Sequence, residues 1–201
     1  MDLDAIQQKL YSDIQGYSLS SAGRARLQRE SDPALTYGEV TPESVQAMLE
    51  AVGTRPGEVF YDLGSGTGKA VIFAALMNNF ARCTGIELVE DLWASAELAR
   101  QRYESDVRPN LPVEQVAEEV SFLNGDMFDF DISDADVVFT HCTCFDDAMM
   151  SRISSKLETL KPGSRVITVT KGLVSPAFTS IGSTLYRLGW GEATMCYFVR
   201  S

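Results

Sequence analysis

The chain has 201 residues, 45% of them hydrophobic, and a formal net charge of −11. That length supports one α/β domain with a substantial core, while the acidic balance disfavours direct nucleic-acid binding and suits basic partners, or else simply keeps the surface dispersed. The longest apolar run, Ala70 to Met77, is far short of a membrane span, and Met1-Asp2-Leu3-Asp4 is not a signal-peptide start. A soluble intracellular protein with no membrane association is expected, cytoplasmic or nuclear.

Leu3, Ile6, Leu10 and Ile14 recur at helical spacing, and Ser18-Leu19-Ser20-Ser21 reads as a break before the basic stretch Arg24 to Arg29. Residues 1–40 therefore read as a small helical cap and lid, and residues 41–201 as the main domain. Thr41-Pro42-Glu43 is a helix start, with Thr41 as N-cap, and Gly53 is its stop. Beyond it strands and helices alternate: strand 58–62, helix 67–78, strand 82–87, helix 90–103, strand 120–124, strand 136–141, helix 146–160 and strand 165–170. This alternation predicts right-handed crossovers and a mostly parallel sheet. Arg108-Pro109-Asn110-Leu111-Pro112 reads as a loop, and Ser183 to Trp190 with Ala193 to Val199 as a closing hairpin. Cys83, Cys142, Cys144 and Cys196 lack disulfide spacing and predict buried, reduced thiols.

The most informative stretch is Asp62-Leu63-Gly64-Ser65-Gly66-Thr67-Gly68, between a strand and a helix. Alternate glycines let the backbone turn sharply and approach a nucleotide-like ligand, although a turn that merely packs helix on strand would use the same residues. A phosphate loop is disfavoured because Leu63 and Ala70 stand where it requires glycine and a hydroxyl, and Lys69 stands where the dinucleotide fingerprint has its third glycine. The pattern instead resembles motif I of class I S-adenosylmethionine-dependent methyltransferases. The resemblance implies a Rossmann-like fold, a seven-stranded, mostly parallel sheet ending in an antiparallel hairpin, and S-adenosyl-L-methionine bound at Asp62, Gly64, Ser65, Gly66, Gly68 and Lys69.

Two further acids stand at strand ends, Glu87 after Gly85-Ile86 and Asp126 after Gly125. A carboxylate just over twenty residues past the first glycine is placed for ribose hydroxyls. In the resembling family, the later acid and the following apolar residue, here Asp126 and Met127, hold adenine. Each acid alone also reads as a solvated strand-end carboxylate.

Tyr37-Gly38-Glu39, together with Tyr61 to Gly66, Gly85-Ile86-Glu87, Gly125-Asp126 and Val137-Val138-Phe139, resembles the disruptor-of-telomeric-silencing (DOT-type, non-SET) histone lysine methyltransferases. That likeness runs from about Tyr37 to Phe198. It implies that Tyr37, Glu39 and Thr41 fold over the cofactor, that Trp190 and Tyr197 line a lysine channel, and that a basic protein segment carries the acceptor. The bare residues leave alternatives: Tyr37-Gly38 also reads as a turn, and Trp190 and Tyr197 also read as hairpin core. His141 and Cys142 occupy the places of two asparagines in the family, and Lys69 replaces its usual glutamine. His141 reads as a satisfied strand-end histidine or as a residue that orients or deprotonates substrate, with Phe145 as a further wall. One histidine and no Cys-x-x-Cys pair give no metal site. The expected activity is protein-lysine N-methylation; the alternatives are small-molecule N- or O-methylation and a non-catalytic, cofactor-binding partner module.

Overall fold

The computed structural model describes residues 2–112, 116–188 and 191–201. In chain order it has α1 (Leu3–Tyr11), α2 (Gly16–Arg26), α3 (Pro42–Val52), β1 (Val59–Leu63), α4 (Lys69–Met77), β2 (Arg82–Glu87), α5 (Glu90–Arg102), β3 (Glu119–Asn124), β4 (Val137–Thr140), α6 (Asp147–Leu157), β5 (Arg165–Val169), β6 (Phe178–Leu188) and β7 (Gly191–Arg200). The strands form one seven-stranded sheet in the order β3-β2-β1-β4-β5-β7-β6. β1 to β5 run parallel, and β7 is antiparallel to both β5 and β6. This is the expected fold class. The strand order reverses between β1 and β4, and in an open parallel sheet that is where the carboxyl ends open into a ligand crevice.

Alternation along the strands divides the core between the two sheet faces. Phe60, Cys83, Val137 and Ile167 join the cluster that holds α3 and α4, whereas Tyr61, Leu63, Ile86, Val138 and Val166 join the one that holds α6. Helix α4 is apolar on all sides, and every residue from Ala70 to Leu76 is buried, as a helix enclosed by other elements requires. Helix α3 begins at a capping box between Thr41 and Ser44 and ends at Gly53 in the left-handed conformation, as its punctuation predicts.

Three expectations need correction. The serine-rich segment is not a break: Ser18 to Ser21 lie inside α2, whose small residues Gly16, Ser20 and Gly23 are buried. A Cβ on Gly23 would come within 2.2 Å of the Val89 side chain, so small size here serves close packing rather than a turn. Of the loop expected at 108–112, only its last two residues lie outside helical turns, because α5 runs on through a π-turn at Tyr103–Val107 and a 3-10 turn at Arg108–Asn110. Tyr103 and Val107 are buried, and this anchors the continuation. The thiols are free but not uniformly buried, since Cys144 is exposed.

Tyr197 pairs across the sheet with Ile167 and Gly182, in mid-strand, and only 3% of it is exposed. It belongs to the core cluster shared with α3 and α4, and burial pushes its phenol up to about 12. Truncation to alanine, Tyr197→Ala, is expected to destabilise the fold by about 3–5 kcal/mol through the cavity left behind. A thermal melt beside a turnover assay checks this; unchanged melting with reduced turnover would return Tyr197 to the acceptor channel.

Candidate cofactor and acceptor site

The glycine turn is held by its own backbone. Gly64 and Ser65 donate their N–H groups to the Ile86 carbonyl at 2.9 and 3.0 Å, and Gly68 donates to the Ser65 carbonyl at 2.8 Å. Gly66 donates to Glu87 Oε2 at 2.8 Å, while Glu87 Oε1 accepts from the Val89 N–H, also at 2.8 Å. With these donors committed, the turn offers no empty cradle of N–H groups for a phosphate. Gly66 has φ 55°, and a Cβ there would lie 2.5 Å from the Tyr37 ring, so both its conformation and its neighbour require glycine.

The local electrostatics suit a cation. Asp62 is 3% exposed, and its Oδ1 has no hydrogen-bond partner. Burial, reinforced by the charge of Glu87, raises its carboxyl well above the ordinary range. Glu87 is also raised by burial, although its backbone donors work against the shift. Two buried carboxylates that resist ionisation gain most from a positively charged ligand. A sulfonium-bearing nucleoside with a free ammonium group therefore fits this donor set: Asp62 would meet positive charge, and Glu87 lies where ribose hydroxyls would donate.

A cavity of about 330 Å³ opens above the turn. Gly64 and Gly66 lie on one wall, Glu87 and Leu88 on the next, and Asp126, Met127 and Phe128 at the β3 end. Asp126 Oδ1 accepts from the Phe128 N–H at 3.1 Å, which orders that end, and Arg152 stacks over the Phe128 ring at 4.0 Å. His141 and Phe145 lie past the end of β4, and Thr36, Tyr37 and Gly38 complete the lining.

The Tyr37-Gly38-Glu39 segment is held down by its side chains. The Tyr37 hydroxyl donates to Glu39 Oε1 at 2.8 Å and lies 2.9 Å from Thr67 Oγ1. Lys69 Nζ donates to Glu39 Oε2 at 2.6 Å, with only 13% and 22% of the two side chains exposed, and sits 5.3 Å from the Tyr11 ring. Burial and the charge of Glu39 push the Tyr37 phenol far up, so it stays protonated and able to donate. Lys69 is thus neutralised by the lid, and its positive charge does not oppose a cationic ligand.

Of the expected site residues, Tyr37, Gly64, Gly66, Glu87, Asp126, Met127, His141 and Phe145 line this one cavity. Asp62, Ser65, Gly68, Lys69 and Glu39 are not among the residues that line it. Thr41 is occupied as a helix cap, its hydroxyl accepting from the Ser44 N–H at 3.2 Å. Tyr197 is in the core rather than on the cavity, because its register places it in the middle of the sheet. Trp190 lies outside the described residues. Arg29, Asp32, Asp146, Met149 and Arg152 also line the cavity and are not among the expected site residues. Only Asp146 carried a signal, as a helix N-cap whose side chain accepts from the Met149 N–H at 2.7 Å. Among the described residues no group of three or more potential ligands could hold a metal, and no helix is long and apolar enough to cross a membrane.

The strand order and the phosphate-averse glycine turn define a class I methyltransferase fold. An RNA methyltransferase from Salinibacter ruber, solved with S-adenosyl-L-homocysteine, has a similar structure, with TM-score 0.62 and 26% identity over 81% of this chain and 93% of that one. The magnesium protoporphyrin IX methyltransferase of Synechocystis PCC 6803 shares the fold at TM-score 0.61 and 15% identity, covering 100% of this chain and 98% of that one. The family model described as histone methylation protein DOT1 matches residues 24–184, and the chain belongs to that family. A protein-lysine N-methyltransferase of Saccharolobus islandicus (strain REY15A) is 33% identical over 136 residues, 67% of this chain and 76% of that protein. The H3 lysine-79 specific histone-lysine N-methyltransferase of Eremothecium gossypii is 29% identical over 139 residues, 66% of this chain. The chain spans only 24% of the length of that relative and 14% of its Caenorhabditis elegans counterpart.

The raised carboxyl of Asp62 has a signed consequence. Its folded value lies above the ordinary 3.8, so its contribution to stability is complete below 3.8 and lost as pH rises through the folded value. Asp62→Asn is expected to raise the melting temperature of the ligand-free protein at neutral pH, by about 2–4 °C for each kcal/mol relieved. The gain should shrink as pH falls toward 3.8, while affinity for S-adenosylmethionine drops. Melting curves across pH, paired with calorimetric titration, check both signs; a lower melting temperature at neutral pH would contradict the burial argument.

Proposed function

We propose that this chain is an S-adenosylmethionine-dependent protein-lysine N-methyltransferase that acts inside the cell on a basic protein segment. One observation carries the cofactor assignment: a glycine turn whose N–H groups are already committed, backed by a buried Asp62 oxygen without a partner and flanked by Glu87 and Asp126. S-adenosylmethionine held by these residues would supply an electrophilic methyl group to an amine lone pair, its sulfur keeping the electron pair of the carbon–sulfur bond. The chain's own work is to bind, align and keep water out. Glu87 and the Asp126 end fix the nucleoside, Asp62 supplies negative charge, and the latched Tyr37-Gly38-Glu39 segment covers the cavity. Phe145, 5% exposed, adds an apolar surface beside the β4 end. A lysine side chain must lose a proton against an unperturbed pKa of about 10.4, and entry into such an apolar environment disfavours its charged form.

Support for a protein acceptor comes from family membership, from the named activity of the Saccharolobus islandicus relative, and from a charge of −11 that attracts basic segments. The likeness to the Salinibacter ruber enzyme is the observation that favours RNA instead. Labelled S-adenosylmethionine incubated separately with core histones, total RNA and a small-metabolite extract distinguishes the readings. Label on protein lysine is expected; label confined to RNA or metabolites, or cofactor binding without transfer, would overturn the proposal. Glu87→Ala is expected to weaken S-adenosylhomocysteine binding on the order of 10–100-fold, as for loss of charge-assisted hydrogen bonds, measured by calorimetry.

A further inference from the structure

We propose that His141 contacts the methyl acceptor, its neutral imidazole taking a hydrogen bond from an N–H of the incoming amine and so turning the nitrogen lone pair toward the methyl group. This rests on the amine-methyltransferase reading above and adds a residue to it. Leu63 pairs with Thr140, so His141 stands level with Gly64 at the carboxyl edge, on the β4 side of the turn. Asp126 to Phe128 occupy the β3 side, and β2 and β1 lie between. The cavity thus runs from a nucleoside end at β3 to an end at β4 that His141 and Phe145 line.

The neighbouring polar side chains bond to the backbone or to one another. The Thr140 hydroxyl donates to the Leu63 carbonyl at 3.1 Å, the Cys142 thiol to the Val169 carbonyl at 3.2 Å, and the Thr143 and Thr170 hydroxyls pair at 3.0 Å. Tyr37 is engaged with Glu39 and Thr67. Burial holds the His141 imidazole below its ordinary value of 6.5, so at neutral pH it is uncharged and has an acceptor nitrogen. The charged groups facing the same cavity are Arg29 and Asp32 from the lid segment, Glu87 and Asp126 from the strand ends, and Asp146 and Arg152 from the α6 region. An imidazole this weakly basic does not strip the ammonium itself. The ammonium proton passes to solvent, and the imidazole then orients the free amine. Protonation of His141 replaces the acceptor with a donor and repels any remaining ammonium.

The test compares wild type with His141→Asn, whose amide oxygen accepts a hydrogen bond but does not titrate, and with His141→Leu, which cannot accept. Below the imidazole pKa two protons block the wild-type reaction, so its rate should fall about a hundredfold per pH unit, against about tenfold for His141→Asn. At mildly alkaline pH, His141→Asn should stay within about tenfold of wild type, and His141→Leu should lose about a hundredfold or more. As the chain has a single histidine, NMR reads this imidazole without overlap. With S-adenosylhomocysteine bound, n-butylamine should perturb its resonances and midpoint, and that midpoint should coincide with the extra acid step of wild type. Identical acid limbs in wild type and His141→Asn, or an imidazole indifferent to butylamine, would overturn the assignment while leaving amine methylation standing. Absence of methyl transfer by wild type to any amine would instead sink the underlying reading, and the butylamine titration would still decide whether His141 meets an amine.

Discussion

Glu87 is the residue on which the site depends. Its two oxygens accept from Gly66 and Val89, so one buried carboxylate joins the glycine turn after β1 to the start of α5 after β2. Burial alone would push this acid toward neutrality; the backbone donors oppose that shift and make a charged or strongly polarised carboxylate tenable in the interior. The same bonds set the shape of the ligand wall. Once Gly66 points its N–H at Glu87 and Gly64 and Ser65 point theirs at Ile86, the turn presents carbonyl and carboxylate oxygens more than free donors, and its ligand preference moves from phosphate toward hydroxyls and cations.

Asp62 shows what this arrangement costs. A buried oxygen without a partner lowers the stability of the unliganded protein, and a second carboxylate nearby raises that cost. Lys69, at the start of the helix that follows the turn, is paired with Glu39 instead. The fold therefore carries an unmet demand for positive charge at its ligand end. Binding energy and stability are coupled through a single side chain.

Most of the fold could be read directly, because strands β1 to β3 end at or beside a glycine or an acid, β4 and β5 are short runs rich in valine, and helix α3 is punctuated at both ends. The misreadings have physical causes. In α2 the serine-rich stretch reads as a break, but a helix that lies close against another needs small residues, and no local pattern distinguishes the two uses. Tyr197 could be placed on the sheet but not in depth along it; only the pairing with Ile167 shows that it stands below the carboxyl edge. Arg29, Arg152 and Met149 reach the cavity from segments whose spacing carries no ligand signal, since three-dimensional closure alone brings the lid segment and α6 to the crevice.

The contact between Tyr37 and Gly66 ties together two stretches of chain that are far apart in sequence. The lid ring rests where a side chain on residue 66 would have to be, so the turn can accept no Cβ while the aromatic lid is seated, and the lid cannot move inward without the glycine. The two positions therefore constrain each other's evolution. A lineage that lost the tyrosine would still keep the glycine for its backbone angle, whereas one that replaced the glycine would have to shed or lift the tyrosine as well, an asymmetric covariation imposed by one point of contact.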